Sequence, residues 1–300
     1  MAGSTGEVVK SLVVNTIIAV SKGVAAALTG SGAMLAETLH SFADCGNQIL
    51  LLVGIRQSRR PADANHPLGY GRAMYFYSFI VALLLFTGGG MFSIYEGVHK
   101  LNHPEKPGAI GVAVIILAIS LVLEGWSCLG NIKAMNARRG KVGFFRYLRE
   151  TKDSDLIVVF GENSAAVIGL VFALAAVTLA HYTQDGRYDA FGSLMIGVVL
   201  VGVAIFLARE IKSLLIGETA DTELVAITQQ LVDEDPDIDK LIRILAVQQG
   251  PGEVLVAMKL QFRSGIETDR LVEIINSFEQ RLEQRYPAVK WSFIEPDNAD

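Results

Sequence analysis

The chain has 300 residues, 51% of them hydrophobic and only 19% charged, with a mean hydropathy of +0.40 and a formal net charge of −5. Such a composition argues against a wholly water-soluble globule, and the apolar excess ends near residue ~208, leaving about 90 residues that read as an ordinary soluble domain. Cys45 and Cys128 both fall in apolar stretches, which argues against a disulfide scaffold, and no basic patch interleaved with aromatics points to nucleic acid.

The N-terminal run MAGSTGEVVKSLVVN lacks the basic region and small-residue cleavage site of a secretory signal, so it is expected to stay on the chain. A spanning helix needs about 20 mainly apolar residues. Six segments meet that need, at 9–29, 32–55, 74–98, 109–132, 155–181 and 189–208. The first two flank a Thr-Gly-Ser-Gly turn at 29–32 and should form an antiparallel hairpin. Gly88, Gly89 and Gly90 in the third, with Ala165, Ala166, Gly169, Gly192, Ser193 and Gly197 in the fifth and sixth, predict close helix packing. Basic residues orient the chain. Arg56, Arg59, Arg60, Arg72, Lys133, Arg138, Arg139, Lys141, Arg146, Arg149 and Lys152 share one side, against Lys100, Lys106 and Arg187 on the other. The basic side should be cytoplasmic, and an even number of spans puts both termini there.

Beyond Arg209 the periodicity changes. Residues 222–234 and 268–286 read as amphipathic helices, and 241–249, 253–263 and 288–294 as strands, the first two joined by Gln-Gly-Pro-Gly at 249–252. The αββαβ order predicts an open-faced α+β sandwich, with helices on one side of a short mixed sheet and the other side free to meet a partner. Domains are therefore expected at 1–208, an all-α six-helix membrane bundle, and at 209–300.

The sharpest chemistry lies in the second helix. Residues three and four apart share a helix face, so Glu37, His40, Asp44 and Asn47 form one polar stripe at bilayer depth, where ionisable groups are costly and mark function. An imidazole and a carboxylate on adjacent turns suit a borderline divalent ion, zinc first, with manganese, iron(II) or cobalt as alternatives. A plainer reading makes the stripe a helix-pairing seam or the wall of a wet cavity. Lys22, inside the first helix, is a second buried charge that either snorkels or pairs with a carboxylate.

The runs LAETLHSFADCGNQ and RRPADANHPLGYGRAMYF, the second carrying ADxNHxxGxGR, precede further apolar helices and an αββαβ tail. In these features the chain resembles the cation diffusion facilitator family of divalent-metal/proton antiporters, and within it the mitochondrial, zinc-transporter-nine-like branch. The resemblance covers nearly the whole chain. It implies a transport site made by two ligand pairs, each spaced i, i+4. The first pair falls on His40 and Asp44. The second falls on Glu162 and Ala166, and because alanine cannot coordinate, three ligands remain, with water, Asn163 or Glu37 as the fourth.

The resemblance also implies accessory metal positions. Asp63 and His66 keep part of one, with Tyr70 where a further histidine would stand, so they serve either weak metal binding or the structure of their loop. In the tail, Ile242 and Met258 replace histidines, and Glu295 and Asp297 read best as a solvated acidic end. Arg72 and Glu218 are expected to form a charged interlock near a dimer interface.

The expected activity is secondary active export of a divalent cation in exchange for protons, with Zn2+ favoured and Mn2+, Fe2+, Co2+ and Cd2+ as further cargoes. It is not that of an enzyme, and no prosthetic group is expected. The tail is expected to be a cytoplasmic dimerisation or regulatory domain. The implied setting is a homodimer in lipid, multi-pass, in a bacterial inner membrane. The alternative is a metal-sensing or scaffold membrane protein that has lost transport with its incomplete second ligand pair.

Overall fold

A computed structural model describes residues 5–103, 110–151, 154–220 and 222–298. Lys106, Lys152 and the expected start of the fourth helix at 109 lie outside these residues. The chain divides into two compact units, one of Met1–Ile55 with Phe76–Ile211, the other of Arg56–Tyr75 with Lys212–Asp300.

In the first unit, α1 (Thr5–Thr29) and α2 (Gly32–Ser58) form the expected hairpin. Gly30 takes a positive φ of 66° and its N–H returns to the Ala26 carbonyl, a helix end that glycine adopts without steric cost. Next come α3 (Ala73–Leu84), a π-helical segment at Leu85–Met91, and α4 (Phe92–Asn102), running as one rod. The π-helical segment contains all three consecutive glycines. A methyl group on Gly90 would stand 2.7 Å from Val201 Cγ2, so the bare backbone is what lets α8 (Arg187–Ile216) lie against this rod. Ser193 Oγ fixes the approach by donating to the Ser93 carbonyl at 2.9 Å.

Then follow α5 (Ile110–Arg138), α6 (Phe144–Glu150) and α7 (Ser154–Thr183). The short α6 was not anticipated, because GFFRYLRE is too basic and too brief to show a periodicity. Among the described residues, four helical rods are long and apolar enough to cross a membrane: Ala73–Asn102, Gly111–Arg138, Leu156–Thr183 and Arg187–Ile216. Of the other two expected spans, α1 has an apolar stretch that includes Asn15–Thr29, and α2 is diluted by its own polar stripe. The last helix also runs eight residues past its expected end at 208. Leu207, Ile211 and Leu214, at i, i+4 and i+7, continue one buried face until Gly217 ends the helix with φ 112°.

The second unit holds α9 (Thr222–Glu234), β1 (Ile238–Gly250), β2 (Glu253–Phe262), α10 (Thr268–Arg285) and β3 (Val289–Pro296). The order αββαβ is as expected. Sheet order is β1-β2-β3, with β1 antiparallel and β3 parallel to the central β2. Along β2 the alternation of Val254, Val256, Met258 and Leu260 sends every second side chain into the core. There they meet Ile274, Phe278 and Leu282, spaced four apart on α10, and Leu224 and Leu231 of α9. Each such side chain contributes about 1.5–3 kcal/mol by leaving water. On the opposite face, Leu245, Ala257 and Phe293 are in register across the three strands, and Leu245 and Phe293 are exposed.

The segment Arg56–Tyr75 belongs to this unit by contact. Gly71 faces Gly250: a Cβ on Gly250 would stand 2.7 Å from Gly71 Cα, and one on Gly71 would stand 2.8 Å from the Gln249 carbonyl oxygen. The second glycine of GYGR is thus explained by backbone packed against the turn after β1.

Candidate metal-transport site

The polar stripe of α2 is buried at Glu37, His40 and Asn47 and half-buried at Asp44. His40 is 1% exposed, and neither Nδ1 nor Nε2 has a hydrogen-bond partner. Its Nε2 stands 3.6 Å from Asp44 Oδ2, one turn on, while Asp44 Oδ1 is also unpartnered. Buried polar atoms are nearly always satisfied, so three orphaned ligand atoms on adjoining turns call for an explanation. A cation would supply one.

Two contacts bracket this pair. Asn47 Nδ2 donates to Glu162 Oε1 of α7 at 2.6 Å, and at the other end Glu37 Oε1 lies where a side chain on Gly169 would collide with it. Glu162, Ala166 and Gly169 share one face of α7, so the two helices run antiparallel here and His40 and Asp44 fall between the two contact levels. Ala166, at the expected second ligand position, is buried and contributes a methyl group. Glu162 therefore faces the stripe, but through Asn47. Among the described residues, no three His, Cys, Asp or Glu side chains stand close enough together to hold a metal ion. Asn163 turns elsewhere, donating to Ser127 Oγ of α5 at 3.2 Å.

Lys22 pairs rather than snorkels. It is fully buried, with Nζ 3.1 Å from Glu37 Oε2 and 2.8 Å from Ser41 Oγ. The sequence reading passed over Glu124 of α5, which lies within electrostatic range of Lys22, Glu37, Asp44 and Glu162. Its signal was present, an acid inside the otherwise apolar run VAVIILAISLVLEGW.

Asp189 was also passed over. Its carboxylate accepts from Ser31 Oγ and the Gly32 N–H, both at 2.5 Å, and from the Ala33 N–H at 3.3 Å, capping the start of α2 from another helix. Lys100 bonds the Gly30 carbonyl and stands 3.9 Å from Asp189. Both ends of the α1–α2 turn thus meet the charge that their helix dipoles favour.

In the 56–75 segment, Asp63 is committed to its own loop. Oδ1 accepts the N–H groups of Asn65 and His66 at 2.9 and 2.8 Å, and Oδ2 accepts the Tyr70 hydroxyl at 2.6 Å. The Tyr70 hydroxyl, and after it the His66 N–H, hold the Asp63 carboxyl down at about 2, and the same bond raises the Tyr70 phenol. His66 Nδ1 is 3.4 Å from Asp63 Oδ1, and its ring lies over Tyr70 at 4.2 Å. Arg72 brings Nη2 to 3.4 Å from where a Cβ on Gly217 would be, beside Glu218 in the chain. Asp297 and Glu295 pair with Lys259 at 2.6 and 4.0 Å.

A bundle of long apolar helices enclosing a stripe of ionisable side chains is the architecture of an integral membrane protein. The cation efflux transmembrane domain matches residues 8–216, and the chain belongs to that family of membrane transporters, the cation diffusion facilitators. Among its relatives are the proton-coupled zinc antiporter SLC30A9, mitochondrial, of Xenopus laevis, 32% identical over 93% of this chain and 52% of that protein, and its Homo sapiens counterpart, 33% identical over 85% and 45%. Metal tolerance protein C4 of Arabidopsis thaliana is 31% identical over 78% of this chain and 52% of that protein. The chain spans about half the length of these curated relatives.

Proposed function

We propose that the protein exports a divalent transition-metal cation, zinc first, from the cytoplasm in exchange for protons, with His40 and Asp44 as the permanent half of the site. The single observation that carries this reading is the orphaned imidazole beside an orphaned carboxylate oxygen at the buried middle of α2. Metal binding requires a neutral imidazole and ionised carboxylates, so cargo and protons compete for the same atoms. That competition is the coupling.

Glu162 completes the ligand set when it leaves Asn47, and a rocking of α7 against α2 then exposes the ion to the opposite side. The relatives named as zinc antiporters support the cargo and the coupling, and in this reading the protein is not an enzyme. All six rods span the bilayer, residues 1–208 form the transport domain, and the basic side with both termini faces the cytoplasm of a bacterial inner membrane. Residues 209–300 serve as the cytoplasmic dimerisation domain, and the Leu245–Ala257–Phe293 row, exposed at Leu245 and Phe293, supports a homodimer in lipid. Arg72 and Glu218 form its charged interlock.

The test is reconstitution in proteoliposomes. Zinc uptake should rise with an imposed pH gradient and collapse with a protonophore; uptake indifferent to the gradient would refute the antiport. A second reading, a metal-sensing or scaffold protein without transport, is favoured by the lack of a closed three-ligand cluster among the described residues. It predicts zinc binding with no flux.

A further inference from the structure

We infer that Lys22 sets the metal preference of the site by holding Glu37 out of the ion's ligand shell, an inference that rests on the transport reading above. Lys22 and Glu37 are both completely buried in the helical unit, and their pairing links α1 to α2. A buried ion pair adds little stability compared with apolar packing. At bilayer depth it is retained for what it does.

The geometry shows what it does. Lys22 Nζ donates to Glu37 Oε2 and to Ser41 Oγ, which lie four residues apart and so span the turn bearing His40. The other oxygen, Oε1, has no partner and is wedged against the bare backbone of Gly169 on α7. Glu37 precedes His40 by three residues, and neighbours at that spacing have Cβ atoms roughly 5–6 Å apart. Released from the ammonium, its carboxylate is near enough to join His40 and Asp44. While Lys22 grips it, Oε2 is engaged by the ammonium and Oε1 is held against Gly169, so the carboxylate stays out of the ligand shell.

The count of oxygens follows. With Glu37 withheld, the site offers one imidazole and the carboxylates of Asp44 and Glu162, a set suited to four-coordinate zinc. With Glu37 admitted, the set becomes richer in carboxylate oxygen, which suits six-coordinate manganese better. Ala166 cannot make up the difference from α7. Lys22 is thus a positioning residue, acting on the cargo through Glu37.

Equilibrium binding of Zn2+ and Mn2+ to the full-length purified protein, with uptake of each ion into proteoliposomes, tests this in Lys22→Met, Glu37→Gln and the double variant. Lys22→Met should move the zinc-to-manganese affinity ratio toward manganese by about tenfold, and Lys22→Met/Glu37→Gln should return it to the wild-type value. Glu37→Gln alone should leave the ratio within about twofold of wild type, because the withheld carboxylate is not a ligand. If Lys22→Met cannot be recovered folded, that Glu37→Gln ratio decides: the charge of an unpaired Lys22 weakens both divalent ions alike, so a tenfold shift of the zinc-to-manganese ratio makes Glu37 a ligand and overturns the inference. An unchanged ratio in folded Lys22→Met, or an equal shift in the double variant, also overturns it. A wild-type protein that binds and moves neither ion fails at the transport reading itself, a different result from wild-type transport with an unmoved ratio.

Discussion

In the helical unit the fully buried side chains include Lys22, Glu37 and Asn47, with His40 beside them, and several of their polar atoms meet no partner. In the sheet unit the buried cluster is apolar from Ala220 to Val289. Among the described residues, the polar side chains Thr228 and Gln248 buried outside that cluster bond backbone carbonyls at 2.8 and 2.6 Å, and the buried Nε atoms of Arg72 and Arg281 meet no hydrogen-bond partner. Ion pairs there, such as Arg285–Glu234 and Arg270–Asp237, stand at the surface. Apolar burial and satisfied polarity stabilise a fold, whereas unsatisfied buried polarity is tolerated where it serves a ligand. The orphaned imidazole and carboxylate atoms thus lie in the helical unit, apart from the apolar core of the sheet unit.

The strongest way to break that division is to remove the orphaned ligands. His40→Ala or Asp44→Ala should reduce metal-driven proton flux in liposomes to background while circular dichroism and gel-filtration elution stay unchanged. Flux at the wild-type level in both variants would end the assignment. The converse is Phe278→Ala in the sheet core, which should cost about 3–5 kcal/mol of that unit's stability and leave the zinc affinity unaltered. Denaturant unfolding with parallel zinc titration reads both.

Asp189→Ala is an intermediate case, a structural carboxylate within the helical unit. It should destabilise the protein by about 1 kcal/mol through loss of the α2 cap, seen as a lower melting temperature in detergent. The smallest effect is at Asp63. Its pKa is depressed, so its stabilising contribution is complete above the ordinary value of 3.8 and disappears as pH falls through about 2. Tyr70→Phe should move its midpoint upward in a carboxyl-carbon NMR titration. An unmoved midpoint would assign the shift to the backbone N–H groups instead.

How much of this was readable beforehand varies by element. The αββαβ order and the spans near 74–98 and 155–181 followed from periodicity, since long amphipathic or apolar runs override local propensity. His40 and Asp44 were legible because ionisable residues are rare in such runs. Lys22 was legible as an anomaly, but its partner was not, because a pairing across the α1–α2 hairpin depends on rotation of both helices. Asp189 looked like an ordinary residue near a helix start and in fact caps a different helix 157 residues away in the chain. Glu162 was placed by a resemblance, and its bond to Asn47 could come only from coordinates. The π-helical segment at Leu85–Met91 was flagged as a glycine run without its geometry; in the structure its Gly90 packs against Val201 of α8.

The facing glycines of the second unit have a practical consequence. Because Gly71 lies between two helices of the first unit in sequence, the sheet-bearing body is discontinuous and joined to the rest of the polypeptide at three peptide linkages, near 55, 75 and 211. A fragment excised from Arg209 onward would lack the 56–75 strand of chain that covers Gln249 and Gly250. It would leave the turn after β1 bare to solvent, so the severed tail is a different object from the one the intact molecule carries.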